Sequence, residues 1–345
     1  MLSQKQIEEI RIHLEKSQNP VFFFDDDVDG LCSFLLLARA IERGKGVSIK
    51  SFPGLNIGYL RKINELNPDY IFILDKPIVD NDFINAVLEK NIPIVWIDHH
   101  DIEINPEIKE KINYYNSSPS SEPVTYIAYN IFKKEQDIWL AMIGCIGDAY
   151  LPDFAEKFAG NHPDMFIKRI SAFDAIYMTE IGRAVTMLNF ALKDTTTNVV
   201  RMQKFLIKIN SIYDLFEENS NTRQIHKKYS QLKKILDNLI KRAELSKKKS
   251  KILFFTYSGG TSMSSELSNA LKFRHPKKSI IIAYKNQEKA NISARGDNIK
   301  KLILKSIETI PGATGGGHEK ACGARIPIDF LDDFKKNIEK FSKDF

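Results

Sequence analysis

The stretch "VFFFDDDVDGLCS", Val21–Ser33, decides the fold and most of the chemistry. Its first four residues are apolar and read as a short buried strand, and "GLCSFLLLARAIER" beyond it reads as a helix. Between the two, Asp25, Asp26, Asp27 and Asp29 put four carboxylates into five positions. Like charges this close repel. At least one of these carboxyls is expected to hold its proton above the usual range unless a cation sits among them.

Working outward, strands and helices alternate. "VSIKSF" and "YIFILD" read as strands with the helix "YLRKINEL" between them, and "DFINAVLEK" is a helix leading to the strand "IPIVWID". Apolar strand runs separated by helices of this length imply βαβ units and a mostly parallel sheet with helices on both faces. Ligands of such sheets bind beyond the carboxyl ends of the strands. The acidic residues fall there: Asp25–Asp29 after the first strand, Asp75 at the end of "YIFILD", and "DHHD" (Asp98–Asp101) at the end of "IPIVWID". Asp75 alone reads equally well as a helix N-cap. Three strand ends that together deliver carboxylates and two adjacent histidines read as a site. Asp148 in "CIGDAY", just past the apolar run "IWLAMIGCI", is a further acidic candidate.

From about Pro152 to Leu192 the pattern is helical. Ile225, Tyr229, Leu232, Leu236, Leu239 and Ala243 then recur at spacings of 4, 3, 4, 3 and 4, one apolar stripe on a long helix. From Arg223 to Lys251 that segment carries eleven Lys/Arg against Asp237 and Glu244, which reads as a solvated face or a face turned to nucleic acid. Past it, "KILFFTY", "SIIIAY" and "KANISAR" read as strands, "SMSSELSNALK" and "NIKKLILKSIETI" as helices, and "PGATGGGHEKACGARIPI" as a Gly-rich loop meeting a final strand. At 345 residues two cores are expected. The expected organisation is α/β throughout: an N-terminal parallel-sheet domain over 1–192, a helical linker over 193–250 and a smaller C-terminal α/β domain over 251–345.

Other classes are excluded. No apolar stretch approaches the roughly 20 residues of a membrane span, so no membrane association is expected. The opening "MLSQKQIEEIRIHLEKSQ" has helical spacing of charge and apolar residues rather than the pattern of a signal peptide. Cys32, Cys145 and Cys322 are odd in number and far apart, which argues against a disulfide framework and for a reducing, cytoplasmic setting. The net charge of +6 selects no partner by itself; only its clustering does.

Aspartate oxygens with a few imidazoles suit a hard or borderline divalent cation such as manganese or magnesium. Asp27 and Asp29 are two apart, so in a turn leaving a strand both can reach one metal while Val28 points to the core. Two cations bridged by a shared carboxylate would relieve the repulsion and build a phosphoryl-transfer site.

"DDDVDG" (Asp25–Gly30), "ILD" ending at Asp75, "DHH" (Asp98–His100) and "GD" (Gly147–Asp148) resemble the four ordered motifs of the DHH phosphoesterase superfamily. "GGGH" (Gly315–His318) resembles the signature of the DHH-associated C-terminal domain, so the resemblance covers nearly the whole chain. It implies two divalent ions, manganese favoured over magnesium, with ligands at Asp27, Asp29, Asp75, His99 and Asp148. Asp25 would lie in or beside their coordination shell and Asp75 would bridge the ions. It further implies that Asp98 orients the histidines and that His100 faces the phosphate. Family members often carry a histidine in the first motif. Here an aspartate stands in its place, as in RecJ-like nucleases.

In the second domain the resemblance places substrate residues at Arg295, with Ser293 beside it, and at Gly315, Gly316, Gly317 and His318. Three glycines let backbone N–H groups approach a phosphate without side-chain obstruction, and Arg295 and His318 add directed donors. "SGGTSMSS" (Ser258–Ser265) is a weaker candidate for the same purpose. The activity implied is that of a metal-dependent exonuclease on single-stranded DNA or RNA, similar to the compact RecJ-like nucleases of archaea and leaning to 3′→5′, in nucleic-acid processing or repair. A replication or repair protein is an expected partner class. The alternatives are a nuclease of very short oligonucleotides, a 3′-phosphoadenosine 5′-phosphate phosphatase, a cyclic-dinucleotide phosphodiesterase, or a non-catalytic replication scaffold.

Overall fold

Val21 and Phe23 on one side, and Phe22 and Phe24 on the other, enter two separate cores, because successive side chains of a strand point to opposite faces. All four are fully buried. A computed structural model of the chain describes residues 1–50, 54–120, 122–246 and 250–342. The strand carrying those residues, β1 (Pro20–Asp25), is followed by β2 (Lys45–Ile49), β3 (Tyr70–Leu74), β4 (Ile94–Asp98) and β5 (Asn113–Asn116). They form one wholly parallel sheet in the order β2-β1-β3-β4-β5. The chain leaves β1 toward β2 and returns on its other side as β3. The order reverses between β1 and β3, and sheets of this kind bind ligands at such a point, beyond the carboxyl ends of the strands. β5, whose "NYYN" is too polar for a buried run, was not read from the sequence.

One face of the sheet is covered by the helices Val28–Ile41, Val124–Phe132, Ile138–Gly147 and Glu180–Leu192. The other is covered by Leu60–Leu66 and Asn81–Leu88. Cys32, Cys145 and Cys322 are buried and free.

The chain divides into two compact units, Met1–Tyr229 and Ser230–Phe345, and the division falls inside the helix Arg223–Leu245. Val199, Met202, Leu206, Ile212, Leu215 and Ile225 pack into the first core. The part of 193–250 up to Tyr229, expected to be linker, is therefore built into the first unit. The reason is that its helices are amphipathic on their own account and bury their apolar faces. In the long helix Ile225, Leu232, Leu236, Leu239 and Ala243 are buried, as the stripe requires, whereas Lys227, Lys234 and Lys241 are exposed. Lys247, Lys248 and Lys249 of the basic run lie outside the described residues, as do Ser51 and Phe52 of "VSIKSF".

The second unit holds β6 (Ile252–Ser258), β7 (Ser279–Lys285), β8 (Lys289–Arg295), β9 (Thr314–His318) and β10 (Ala321–Pro327) in the order β6-β7-β8-β10-β9. β6 and β7 are parallel and the other pairings antiparallel. Ile281, Ile292, Ile303, Ile326 and Phe334 centre its core. "TGGGH", expected as a loop, is the edge strand β9, paired residue by residue with β10 and exposed throughout. Glycine's low strand propensity hid it, and pairing with β10 overrides that preference.

Candidate active site

The helix Val28–Ile41 begins so close to the end of β1 that a Cβ at Gly30 would stand 2.5 Å from the Asp25 carbonyl oxygen. Only glycine fits. This contact holds the four aspartates of the first motif in a single tight turn, yet each finds a different partner. Asp25 Oδ1 lies 2.6 Å from Lys76 Nζ, and Lys76 is almost fully buried. Asp26 Oδ2 is 3.1 Å from Lys50 Nζ. Asp27 caps the helix, accepting from the Gly30 N–H at 2.9 Å. Asp29 is buried and accepts from two backbone N–H groups, those of Val124 at 2.9 Å and Thr125 at 2.7 Å. These begin the helix Val124–Phe132, whose N-cap is Pro123, a residue without a capping side chain. Asp29 therefore supplies the acceptors that this helix start lacks.

Asp75 follows β3 in the left-handed region, at φ 55°, and ends the alternation of the strand. Its Oδ1 is buried and, among the described residues, accepts no hydrogen bond. His99 Nε2 is 3.3 Å from that atom and His100 Nδ1 is 3.8 Å from it. His100 Nδ1 donates to Asp98 Oδ1 at 2.9 Å, and Asp98 is completely buried. Asp148 ends the helix Ile138–Gly147, and its Oδ2 lies 3.8 Å from His99 Nδ1. Among the described residues, two groups of side chains can converge on a cation: Asp75, His99 and His100, and Asp29, His99 and Asp148, each offering atoms within 4.8 Å of one another. His99 belongs to both.

The charges are unbalanced. Burial, then the neighbouring charges of Asp29, Asp27, Asp25 and Asp148, drive the Asp75 carboxyl well above the usual range. Burial, then Asp29 and Asp27, do the same to Asp148, whose side chain is still 39% exposed. Asp27 keeps an accessible face, yet the protein packed around it, with Asp25 and Asp29, pushes it up to about 7. Burial also raises Asp25, against the pull of Lys76. His100 loses affinity for its proton through burial but regains more from Asp98, so it is raised overall. Carboxyls that climb together in this way mark missing positive charge. The orphaned Asp75 oxygen and the oxygen–imidazole donor set fit a divalent cation.

In the second unit, Arg295 ends β8, where its Nε donates to Asn269 Oδ1 at 2.6 Å and its Nη1 to the Ala294 carbonyl at 2.9 Å. Ser293 Oγ lies 3.0 Å from Ser268 Oγ and 3.2 Å from Arg295 Nη1. The helix Ser264–Arg274 thus aligns both β8 side chains through Ser268 and Asn269. Gly315, Gly316, Gly317 and His318 lie on β9. A Cβ at Gly316 would meet nothing within 4 Å, whereas one at Gly317, at φ 134°, would stand 2.5 Å from the Ala321 carbonyl oxygen. The first position leaves open space for a ligand; the second needs glycine for the backbone itself. Gly259 and Gly260, in the weaker candidate loop, also face open space.

Sequence reasoning passed over Lys76 and Asn269. Lys76 carried a signal, a lysine next to a strand-end aspartate. Asn269 carried none, being one polar residue in a helix.

A family model described as "DHH family, N-terminal domain" matches residues 21–147, and one described as "DHHA1 domain" matches residues 233–344. No curated protein matches the chain. Among solved structures it is similar to RecJ from Thermus thermophilus in complex with Mn2+, at TM-score 0.71 and 11% identity, covering 100% of this chain and 55% of that one. The chain thus spans about half the length of that protein. It is also similar to exonuclease RecJ bound to manganese, at TM-score 0.64 and 14% identity, covering 100% and 96%. A third likeness is to CDC45 from Entamoeba histolytica, at TM-score 0.56 and 12% identity, covering 97% and 98%. At these identities the likeness is one of fold. Among the described residues no helix is long and apolar enough to cross a membrane.

Proposed function

The chain belongs to the DHH superfamily, with DHH and DHHA1 domains, and on that premise we propose that it is a RecJ-like, metal-dependent phosphodiesterase that removes nucleotides from single-stranded nucleic acid, in the 3′→5′ direction. The observation that carries this reading is the meeting of Asp29, Asp75, His99 and Asp148 at the carboxyl ends of the parallel sheet, with acceptor oxygens left over. These four, with Asp27, would hold two divalent ions, manganese before magnesium. When bound, such ions activate water and offset charge on a phosphoryl group.

The remaining work falls to the chain itself. Asp98, buried and bonded to His100 Nδ1, holds that imidazole in one orientation and favours its protonated form. His100 would then face a phosphoryl oxygen. Asp29 ties the turn to the helix Val124–Phe132, so the acidic turn stays in place when the ions leave. In the second unit Arg295, Ser293, His318 and the exposed glycines of β9 would grip a phosphate. The exposed lysines of the helix Arg223–Leu245 favour a polymeric substrate over a mononucleotide.

The test is digestion of 3′- and 5′-labelled single strands of DNA and RNA with manganese, with and without a chelator, and with a dinucleotide and 3′-phosphoadenosine 5′-phosphate in parallel. Stepwise shortening from the 3′ end supports the reading. Turnover of the dinucleotide alone, or of the bisphosphate alone, replaces it with one of the small-substrate activities. No cleavage at all by a manganese-loaded chain leaves a scaffold.

A further inference from the structure

The residue after Asp75 is a lysine, and its side chain turns into the acidic cluster rather than to solvent. Lys76 Nζ is 2.6 Å from Asp25 Oδ1, with the lysine side chain 4% and the aspartate side chain 17% exposed. A second acceptor, the Lys50 carbonyl, is 3.4 Å from the same nitrogen. The Lys76 carbonyl is pinned by the Trp96 indole N–H at 3.0 Å. In a regular strand Asp75 and Lys76 would point to opposite faces. The left-handed turn at Asp75 breaks that alternation, and both side chains enter the cluster.

Resting on the metal-dependent reading above, we infer that Lys76 is a built-in counter-cation that withholds Asp25 from the metals, so that Asp25 positions the site without ligating an ion. Five carboxylates, those of Asp25, Asp27, Asp29, Asp75 and Asp148, crowd this region. With Asp25 neutralised by Lys76, four remain, the charge of two divalent ions. A fifth free carboxylate would draw the ions off the arrangement centred on Asp75 and His99. A buried ammonium in contact with a carboxylate is also a partner that water cannot displace, which a surface pair such as Lys50–Asp26 is not. Sequence reasoning put Asp25 in or beside the coordination shell; on the present inference it lies beside.

Titration calorimetry of the full chain with Mn2+ alone decides the matter, using the unaltered chain, Asp25→Asn, Lys76→Met, Lys76→Arg and the double variant Asp25→Asn/Lys76→Met. Asp25→Asn is expected to bind the same number of ions as the unaltered chain. Lys76→Met frees the carboxylate and is expected to bind Mn2+ roughly tenfold more tightly, the lower end of what groups around a metal site contribute. The double variant should lose that gain, and Lys76→Arg should behave as the unaltered chain. Loss of an ion in Asp25→Asn overturns the inference, as does a Lys76→Met variant with unaltered affinity. If Lys76→Met does not fold, the ion count of Asp25→Asn decides alone. An unaltered chain that binds no Mn2+ brings down the functional reading itself, and that outcome differs from both of the others.

Discussion

Asp29 and Thr125 hold each other twice: the Thr125 N–H donates to Asp29 Oδ1 at 2.7 Å, and the Thr125 hydroxyl donates to the Asp29 carbonyl at 3.0 Å. An acidic residue expected only to bind metal is therefore also the fastener between the first motif and the helix Val124–Phe132. Gly144 is packed against that threonine, since a Cβ there would stand within 2.7 Å of three Thr125 side-chain atoms.

Asp29→Ala is accordingly expected to destabilise the metal-free chain by about 2 kcal/mol or more, because two buried N–H groups lose their acceptor. Asp27→Asn should leave it as stable or more so, since asparagine still caps Gly30 and removes a charge from the cluster. Chelator-treated thermal melts compare them. Equal effects of the two substitutions would remove the structural role of Asp29.

The stability of the metal-free chain should fall as pH rises. The carboxyls of Asp27, Asp75, Asp148 and Asp25 are all raised in the folded chain, Asp27 to about 7. Between the ordinary carboxylate value of about 4 and that value the folded chain binds more protons than the unfolded chain. The part of the stability that Asp27 confers is present in full below about pH 4 and is lost as pH rises through 7. Metal binding displaces those protons, so the Mn2+-induced rise in Tm should be larger at about pH 8 than at about pH 5.5. Asp75→Asn should abolish hydrolysis and much of this pH dependence, and asparagine tolerates the left-handed backbone there. An equal Mn2+-induced rise at both pH values would show that these carboxylates do not hold the ion.

Arg295→Ala and His318→Ala should keep Mn2+ affinity and cut kcat/KM on oligonucleotides by roughly 100-fold, while slowing an activated phosphodiester only modestly. Asn269→Ala should reproduce part of the Arg295 defect, because Asn269 holds the guanidinium through Nε. Rates on both substrates for each variant make the comparison. Parallel losses on the two substrates would mean that the second unit does not grip the nucleic acid.

The exposed lysines of the long helix lend themselves to a charge test. Changing Lys227, Lys234 and Lys241 together to glutamine should lower the slope of log K against log salt by about 0.7 for each phosphate that a lysine no longer neutralises. Dinucleotide turnover should hardly change. Binding of a long single strand measured across a salt series reads this directly, and an unaltered slope would make the run a solvated face only.

The sequence by itself determined most of the elements, though not β5 or β9, and the place of the acidic residues. Apolar runs such as Val21–Phe24 and "IVWID" specify buried strands through their local pattern. A carboxylate at the end of a parallel strand lies at the ligand-binding end whatever the strand order. The stripe from Ile225 to Ala243 specified the long helix for the same reason, being a matter of spacing alone. Tertiary structure decided which carboxylate receives which partner. Asp25 meets Lys76 only because β1 and β3 are neighbours, and Asp29 meets Val124 and Thr125 across nearly a hundred residues of chain. "TGGGH" became a strand only because β10 lies beside it, and Arg295 is aimed by Asn269 only because the helix Ser264–Arg274 packs against β8. Periodicity reports which face of an element is buried. It does not report what lies opposite, and for charged groups the partner opposite sets the chemistry.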